Sequence, residues 1–573
     1  MTFRLRIVTA AVILQLFAIA QGIAQTPADD FAREKALQEQ TQRIEALKKM
    51  TPQNAVTSTQ EVDTLQPAAG KCFAVDRVEV EGISQFSAER VAPLVKPYEK
   101  TCVGLAEINA VLRDLTYLYL DKGFITSRAY VPEQDIGKTR LLRLVVVEGR
   151  LADIYLNGHP APKSHLLATA FPALRGTLTN IRDVEQGLDQ INRLASNNAK
   201  TAMLPGKNVD TSILNVENNP GFPLHFSTSN SNLGQYSTGL SKSAASITGD
   251  SLLGLNEQLS LAYEHSGPDY PWGNDGHGKS DSYSGSFSIP YGYWTFSANG
   301  SWYEYKSSVP ANFSTPDTSG DSGQAGIGVD RVVGRDKDSI TTVKTSLTYK
   351  QTNNFMLGSK IDVGTRQYTV GSLGISHSRR MGNGFWVFDA SFDQGIDLFG
   401  SVEKGEPGAG EADPRFSKFS ATINATRPFE LVQQRFELSS TITGQYSPDN
   451  LFGAEQISLG SSSNVRGARE AQLFGNNGFF VRNELLWRIT PWQASPAMVK
   501  VVGELRPYVG IDYGHIYSRH RFGVDGGDIT GWTGGIRTAG GRLGVDIGYS
   551  DILASSTGTG NGGLLYFNTS LRF

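Results

Sequence analysis

The residue types that carry most enzyme chemistry are sparse in this chain and badly spaced for it. Its eight His residues are scattered, and His515 and His520 have neither zinc-ligand spacing nor an accompanying acid. Gly558-Thr-Gly560-Asn-Gly562-Gly563 spells GxGxxG, but a dinucleotide site needs a strand before it and a helix after it. Here the terminal strand follows. With no nucleophile elbow and no P-loop, the chain reads as a non-enzyme without cofactor or metal. Two features remain. Cys72 and Cys102 are the only cysteines, and in an exported chain they most simply form one disulfide, two buried free thiols being the alternative. Closing that loop is worth on the order of 3–4 kcal/mol. The second feature is Asp512. On the segment 501–517, Val509, Ile511, Tyr513 and Tyr517 share one face, while Gly510, Asp512 and Gly514 share the other. The glycines clear space for another backbone to approach, and the carboxylate between them needs a cation. Arginine offers it a planar bidentate match.

The elements that must position these residues begin with an export signal at 1–24. Arg4 and Arg6 precede an apolar core, Ile7 to Phe17, too short to span a bilayer, and Gly22-Ile23-Ala24 offers a cleavage site. Cleavage after Ala20 also fits. Residues 29–50 predict a polar helix with a thin apolar stripe (Phe31, Leu37, Ile44, Leu47), suited to a water-lined setting. Residues 51–71, with Pro52 and Pro67, predict a linker. Residues 72–221 carry two copies of a β-α-α-β-β pattern, 72–149 and 150–221. The first predicts strands at 75–80, 124–131 and 141–147 and helices at 87–94 and 105–122, with Leu105, Ile108, Leu112, Leu115 and Tyr119 inward. The second predicts strands at 151–156, 201–204 and 212–216 and helices at 164–170 and 180–196.

From residue 222 the pattern changes to period two, apolar alternating with polar in segments of about ten residues, as in a transmembrane β-barrel. Sixteen such segments fit, an even number, with long connections at 266–280, 307–321, 397–414 and 447–477 and mostly short ones between. The long ones face outside. The turn at 490–500 is too long for its side. A large soluble β-sandwich or propeller is the competing reading. Against it stands the terminal strand, where Leu565, Phe567, Leu571 and Phe573 alternate with polar residues and resemble an outer-membrane insertion signal. Charged residues are 19% of 573 and the net charge is -3, which excludes a helical transporter and a basic nucleic-acid binder.

This order of parts resembles the transporters of two-partner secretion (TpsB, haemolysin-activator type), within the superfamily of outer-membrane barrel-assembly factors. CFAVDRVEVEG, YVPEQDI and LVVVEGRL are similar to that family's first POTRA domain, and NVRGARE followed by GFFVRNELLW to its long-loop motif and next strand. The resemblance implies a sixteen-stranded outer-membrane barrel, two periplasmic POTRA domains and a plug helix. It implies that the loop residues Val465, Arg466 and Gly467 fold into the lumen, with Arg466 on Asp512 of the Gly510-x-Asp512-x-Gly514 motif. Glu484, inward on the neighbouring strand, is a second partner. Ala468 replaces the family's usual aromatic. The implied partners are a large β-helical TpsA-like exoprotein, outer-membrane lipid and the barrel-assembly machinery during biogenesis, with no nucleic acid. A sibling assembly factor and a passive porin are the alternatives. Two modules are few for the first, and about 150 periplasmic residues are unneeded by the second.

Overall fold

The computed structural model describes residues 26–49, 72–208, 210–267, 278–308, 316–519, 524–556, 558 and 563–573. The expected signal peptide, the linker, His520 and most of the GxGxxG segment lie outside them.

Sixteen antiparallel strands, from Leu224–Ser231 to Leu564–Arg572, close into a barrel in chain order. Alternation predicts strands at 384–396 and 434–446, and Gly384–Ile396 and Gln434–Tyr446 have those limits. Where alternation predicts 322–333, 339–352 and 367–379, the strands Asp317–Arg335, Ser339–Met356 and Ser359–Met381 run further. An antiparallel ladder joins backbone to backbone, so it continues beyond the stretch in which side chains must alternate. Apolar residues such as Leu261, Ile327, Leu373, Ile511 and Ile547 are exposed on the outer wall, the apolar band that a transmembrane barrel requires. Closure rests on the shortest ladder: Ser227–Ser231 pair with 568–572 at five positions, where the other barrel ladders carry eight to seventeen. Phe573 extends it by exchanging backbone hydrogen bonds with Phe226. Leu571 and Phe573 are exposed, and Phe567 lies on the same last strand. The long turn at 490–500 is explained by a helix, Pro496–Val502, which sequence periodicity misses because it is so short.

In the first N-terminal domain, Arg77–Glu81, Leu141–Val147 and Arg128–Tyr130 form a sheet covered by the helices Ala88–Val95 and Leu105–Asp121. Val78, Val91, Val111, Leu115, Leu142 and Leu144 fill the core. The strand expected at 75–80 is split at Asp76, whose N–H donates to the Arg140 carbonyl (2.8 Å). Its first part, Phe73–Val75, pairs instead with Thr101–Val103, and the disulfide Cys72–Cys102 (Cα–Cα 5.3 Å) ties this ribbon. The strand expected at 124–131 shrinks to Arg128–Tyr130 because a turn closes between Phe124 and Ser127. Leu105, expected inward, is exposed as the first residue of its helix.

The second domain has the sheet order His159–Pro160, Arg150–Leu156, Thr211–Glu217, Lys200–Pro205, with the helices His165–Ala170 and Ile181–Asn192 over a core of Leu151, Ile154, Val184, Ile191 and Leu214. The long helix stops short of its expected end at 196. The side chain of Asn192, the last helical residue, accepts from the Ala199 N–H (2.6 Å) and donates to the Ala199 carbonyl (2.9 Å), and Asn197 donates back to the Ile191 carbonyl (2.9 Å). This helix docks on the barrel. Arg335 donates to Asp189 (2.6 Å) and Gln186 (3.1 Å), the Tyr293 hydroxyl to Asp183 (2.6 Å), and Gln190 to the Gly292 carbonyl (2.9 Å). The docked turns lie at one mouth of the barrel, so the 447–477 loop enters from the other.

Candidate functional site

The 447–477 loop folds back into the lumen because it carries a small core of its own. Ile457–Leu459 and Leu473–Gly475 pair as a short hairpin. Ile457, Leu459, Val465 and Leu473 bury themselves against Phe480, Ile516 and Ile529 of the wall. Asn464 shapes the tip, its side-chain oxygen accepting from the Gly460 and Ser461 N–H groups (3.0 and 2.9 Å) while its amide donates to the Ser458 carbonyl (3.0 Å).

At this tip the Arg466 guanidinium forks onto Asp512. Nε donates to Oδ2 at 2.6 Å, Nη2 to Oδ1 at 2.8 Å, and the Arg466 backbone N–H adds a third bond at 3.1 Å. Nη1 donates to Glu484 (2.6 Å), which also accepts from Arg537 (2.8 Å), and Nη2 also reaches the Asn483 carbonyl (3.1 Å). Arg466 is 4% exposed and Asp512 0%, so the pair is cut off from solvent. The sequence suggests a wet lumen here; in the structure the loop's core covers the ions. The small residues are those the close approach requires. A Cβ on Gly510 would lie 2.3 Å from Arg466 Nη2, and one on Gly514 within 3 Å of Leu459 and Val465. Gly467 has φ +131° and a Cβ there would meet the Asp551 backbone at 2.6 Å.

Besides Arg537 and Asn483, Gly531 and Glu455 escape sequence reading. Gly531 admits the Arg466 carbonyl, which a Cβ would meet at 1.7 Å. Glu455 anchors the loop's other limb: it accepts from Lys350 (2.5 Å), Lys418 (2.6 Å) and the Tyr368 hydroxyl (3.0 Å), and its side chain is 3% exposed. A signal existed, since Lys350 and Lys418 fall on the polar phase of alternating strands and inward cations need an anion. Ala468 is buried beside a cavity of about 220 Å³ lined also by Tyr236, Arg469 and Leu565, and the Arg469 guanidinium lies 5.6 Å from the Tyr236 ring centroid.

The helix Pro27–Lys49 lies inside the barrel and touches both wall and loop. Phe31 stacks on Tyr303 (4.1 Å), while Ile44 and Leu47 pack on Val387. Asp29 accepts from Arg366, whose guanidinium lies 5.1 Å from the Phe452 ring centroid. Arg33 donates to the Gly453 carbonyl and sits 4.5 Å over the Phe474 ring. A polar space of about 510 Å³ remains beside the helix. Among the described residues no His, Cys, Asp and Glu gather as a metal site.

Comparison with known proteins gives these parts a family. Residues 210–538, more than half of the chain, match the model of the haemolysin secretion/activation proteins ShlB/FhaC/HecB. Residues 73–149 match the ShlB-type POTRA domain and 150–205 a further POTRA domain. The outer membrane transporter CdiB of Dickeya dadantii is 29% identical over 88% of this chain and 86% of its own. The hemolysin transporter protein ShlB of Serratia marcescens is 30% identical over 81% and 78%. The solved CdiB from Escherichia coli superposes with a TM-score of 0.84 at 27% identity, covering 96% of this chain and 99% of that one. The CdiB from Acinetobacter baumannii, at 20% identity and a TM-score of 0.76, shares the fold. A closed sixteen-stranded barrel, two POTRA domains, a lumenal helix and a matching family model together place this chain in the ShlB/FhaC/HecB family of outer-membrane two-partner secretion transporters.

Proposed function

We propose that the chain exports a large β-helical exoprotein, and that Arg466, with Asp512 and Glu484, is the anchor that sets the position of the loop during export. The observation that carries this reading is what fills the lumen. It is occupied by a helix and a loop, hung on the wall by ion pairs and small apolar contacts, rather than by a continuous core of strand side chains. Bodies held in this way can move aside for a passing chain. The unfolded partner would add as a strand to a free sheet edge of the POTRA domains, Arg128–Tyr130 or Lys200–Pro205. With no ATP in the periplasm, folding of the partner outside supplies the free energy. Outer-membrane lipid covers the apolar band, and the last strand, ending in Phe573, is read by the barrel-assembly machinery during biogenesis. No nucleic acid and no catalysis enter this scheme. The alternative, an assembly factor for other barrels, is disfavoured by relatives that are named as transporters. The test is to co-express the chain with a neighbouring long repetitive exoprotein. Partner in the medium is expected only when this chain is present; equal release without it refutes the reading.

A further inference from the structure

Beside the docking of the second POTRA domain lies a cavity of about 1190 Å³ that neither the docked helix nor the lumen accounts for. On the periplasmic side it is walled by Phe171, Pro172 and Leu174, which follow the helix His165–Ala170. On the barrel side it reaches Trp294, Arg331 and Val333, exposed residues at the periplasmic end of the lipid-facing wall. Trp294 stacks with Phe296 (6.4 Å), itself 45% exposed, so the cavity is continuous with the lipid band. Its charge is one-sided. Arg331 stands across the ladder from Trp294, its guanidinium 4.7 Å from the ring centroid, and has no carboxylate partner among the described residues. Arg150 donates to the Gly176 carbonyl (3.1 Å) and likewise has no carboxylate. The only carboxylate among the lining residues, Asp183, already accepts from the Tyr293 hydroxyl at 2.6 Å. An apolar mouth open to lipid, an aromatic belt residue and two uncompensated arginines match an amphiphile with an anionic head.

We propose that this cavity binds one phospholipid of the periplasmic leaflet, its phosphodiester on Arg331 and Arg150 and an acyl chain along Trp294, Val333 and Leu174. Such a site goes beyond the bulk lipid around the barrel: it would tie the second POTRA domain to the membrane at one tilt. It rests on the outer-membrane placement and not on the export reading, so binding is read without any secretion assay.

The test uses the full-length protein in detergent, stripped of lipid and titrated with dioleoylphosphatidylglycerol, with bound lipid counted by native mass spectrometry. One tightly held lipid is expected. Arg331→Gln and Arg150→Gln should each weaken it about tenfold, the loss of one charge-assisted contact, while Arg331→Lys should retain most of it. Dioleoylglycerol, with the same chains and no phosphate, should not occupy the site, and inorganic phosphate should not displace the lipid. Heat-modifiable mobility checks each barrel, and Arg150 lies outside the barrel, so its variant tests the site even if Arg331→Gln fails to insert. Undiminished lipid in the Arg150→Gln and Arg331→Gln proteins would overturn the proposal. So would displacement by inorganic phosphate, or occupation of the cavity by unfolded partner in preference to lipid.

Discussion

Arg466→Ala removes the cation from a carboxylate that has no access to water. Asp512 would keep two donors, the backbone N–H of residue 466 (3.1 Å) and that of Asn483 (3.3 Å), but neither carries charge. Glu484 is less affected because Arg537 still reaches it at 2.8 Å. Breaking a buried pair by deleting one member costs about 3–5 kcal/mol. The retained backbone donors and the neighbouring arginine put this site at the low end, about 3 kcal/mol, or roughly a hundredfold in the balance between docked and undocked tip. That exceeds the roughly 1–2 kcal/mol a wet lumen would imply. The barrel ladder does not pass through the loop, so the variant should insert, show normal heat-modifiable mobility and lose most partner export. Arg466→Lys should recover only part, since an ammonium cannot fork onto both oxygens. Replacing both Arg466 and Asp512 by Ala should disturb the loop less than Arg466→Ala alone, because no buried charge is then left unpaired. The assay is partner in the medium, paired with protease cleavage of the loop in whole cells. Normal export by Arg466→Ala would refute the reasoning, and a barrel that no longer folds would make the residue structural.

Thiol reagents should fail to label the oxidised protein until reductant is added, and reaction at Cys72 or Cys102 without it would exclude the disulfide in the mature chain. Deleting residues 27–49 should raise single-channel conductance and spare export; unchanged conductance would put the helix outside the pore in the membrane. In the first POTRA domain, burial pushes the Glu148 carboxyl up, but hydrogen bonds from the Ser84 hydroxyl and N–H, the Tyr119 hydroxyl and the Gln85 N–H outweigh it and hold the group below its ordinary range. A depressed carboxylate stabilises the fold above its unfolded pKa, and that stabilisation is lost as pH falls through the folded value. Residues 72–149 should therefore become more sensitive to pepsin as the medium is acidified, and Glu148→Gln should flatten that dependence.

How much could be read beforehand depended on which physical signal each part sends. Alternation marks a barrel strand directly, so all sixteen strands are legible, and Val509, Ile511 and Tyr513 place Asp512 on the lumenal face. The amphipathic helix Ile181–Asn192 was legible for the same reason. Its end was not, because Asn192 caps a turn made with Ala199, and a side-chain bond of that kind leaves no periodicity. The ribbon Phe73–Val75 with Thr101–Val103 is too short for any pattern, although the cysteines beside it were visible. In the loop, the Arg466 motif stood out by resemblance, while Glu455 stands among ordinary residues and declares itself only against two lysines far away in the chain. Burial of the pair is the least legible feature. No local spacing reveals that Leu459 and Val465 roof over a charge.

Besides its apolar core, the loop carries two ionic pins eleven residues apart, Glu455 on one stretch of wall and Arg466 on another. A tether with one pin swings open whenever the pin slips; a crossbar with two leaves its sockets only when both slip together. If each pin were undone about one time in a hundred, independent sites would be undone together roughly one time in ten thousand. Thermal motion alone would then lift the loop only rarely, and the helix Pro27–Lys49 would still stand in the lumen. Loosening either pin would raise that frequency in proportion, so the resting conductance of Glu455→Gln and of Arg466→Ala becomes a gauge of how independently the two ends let go.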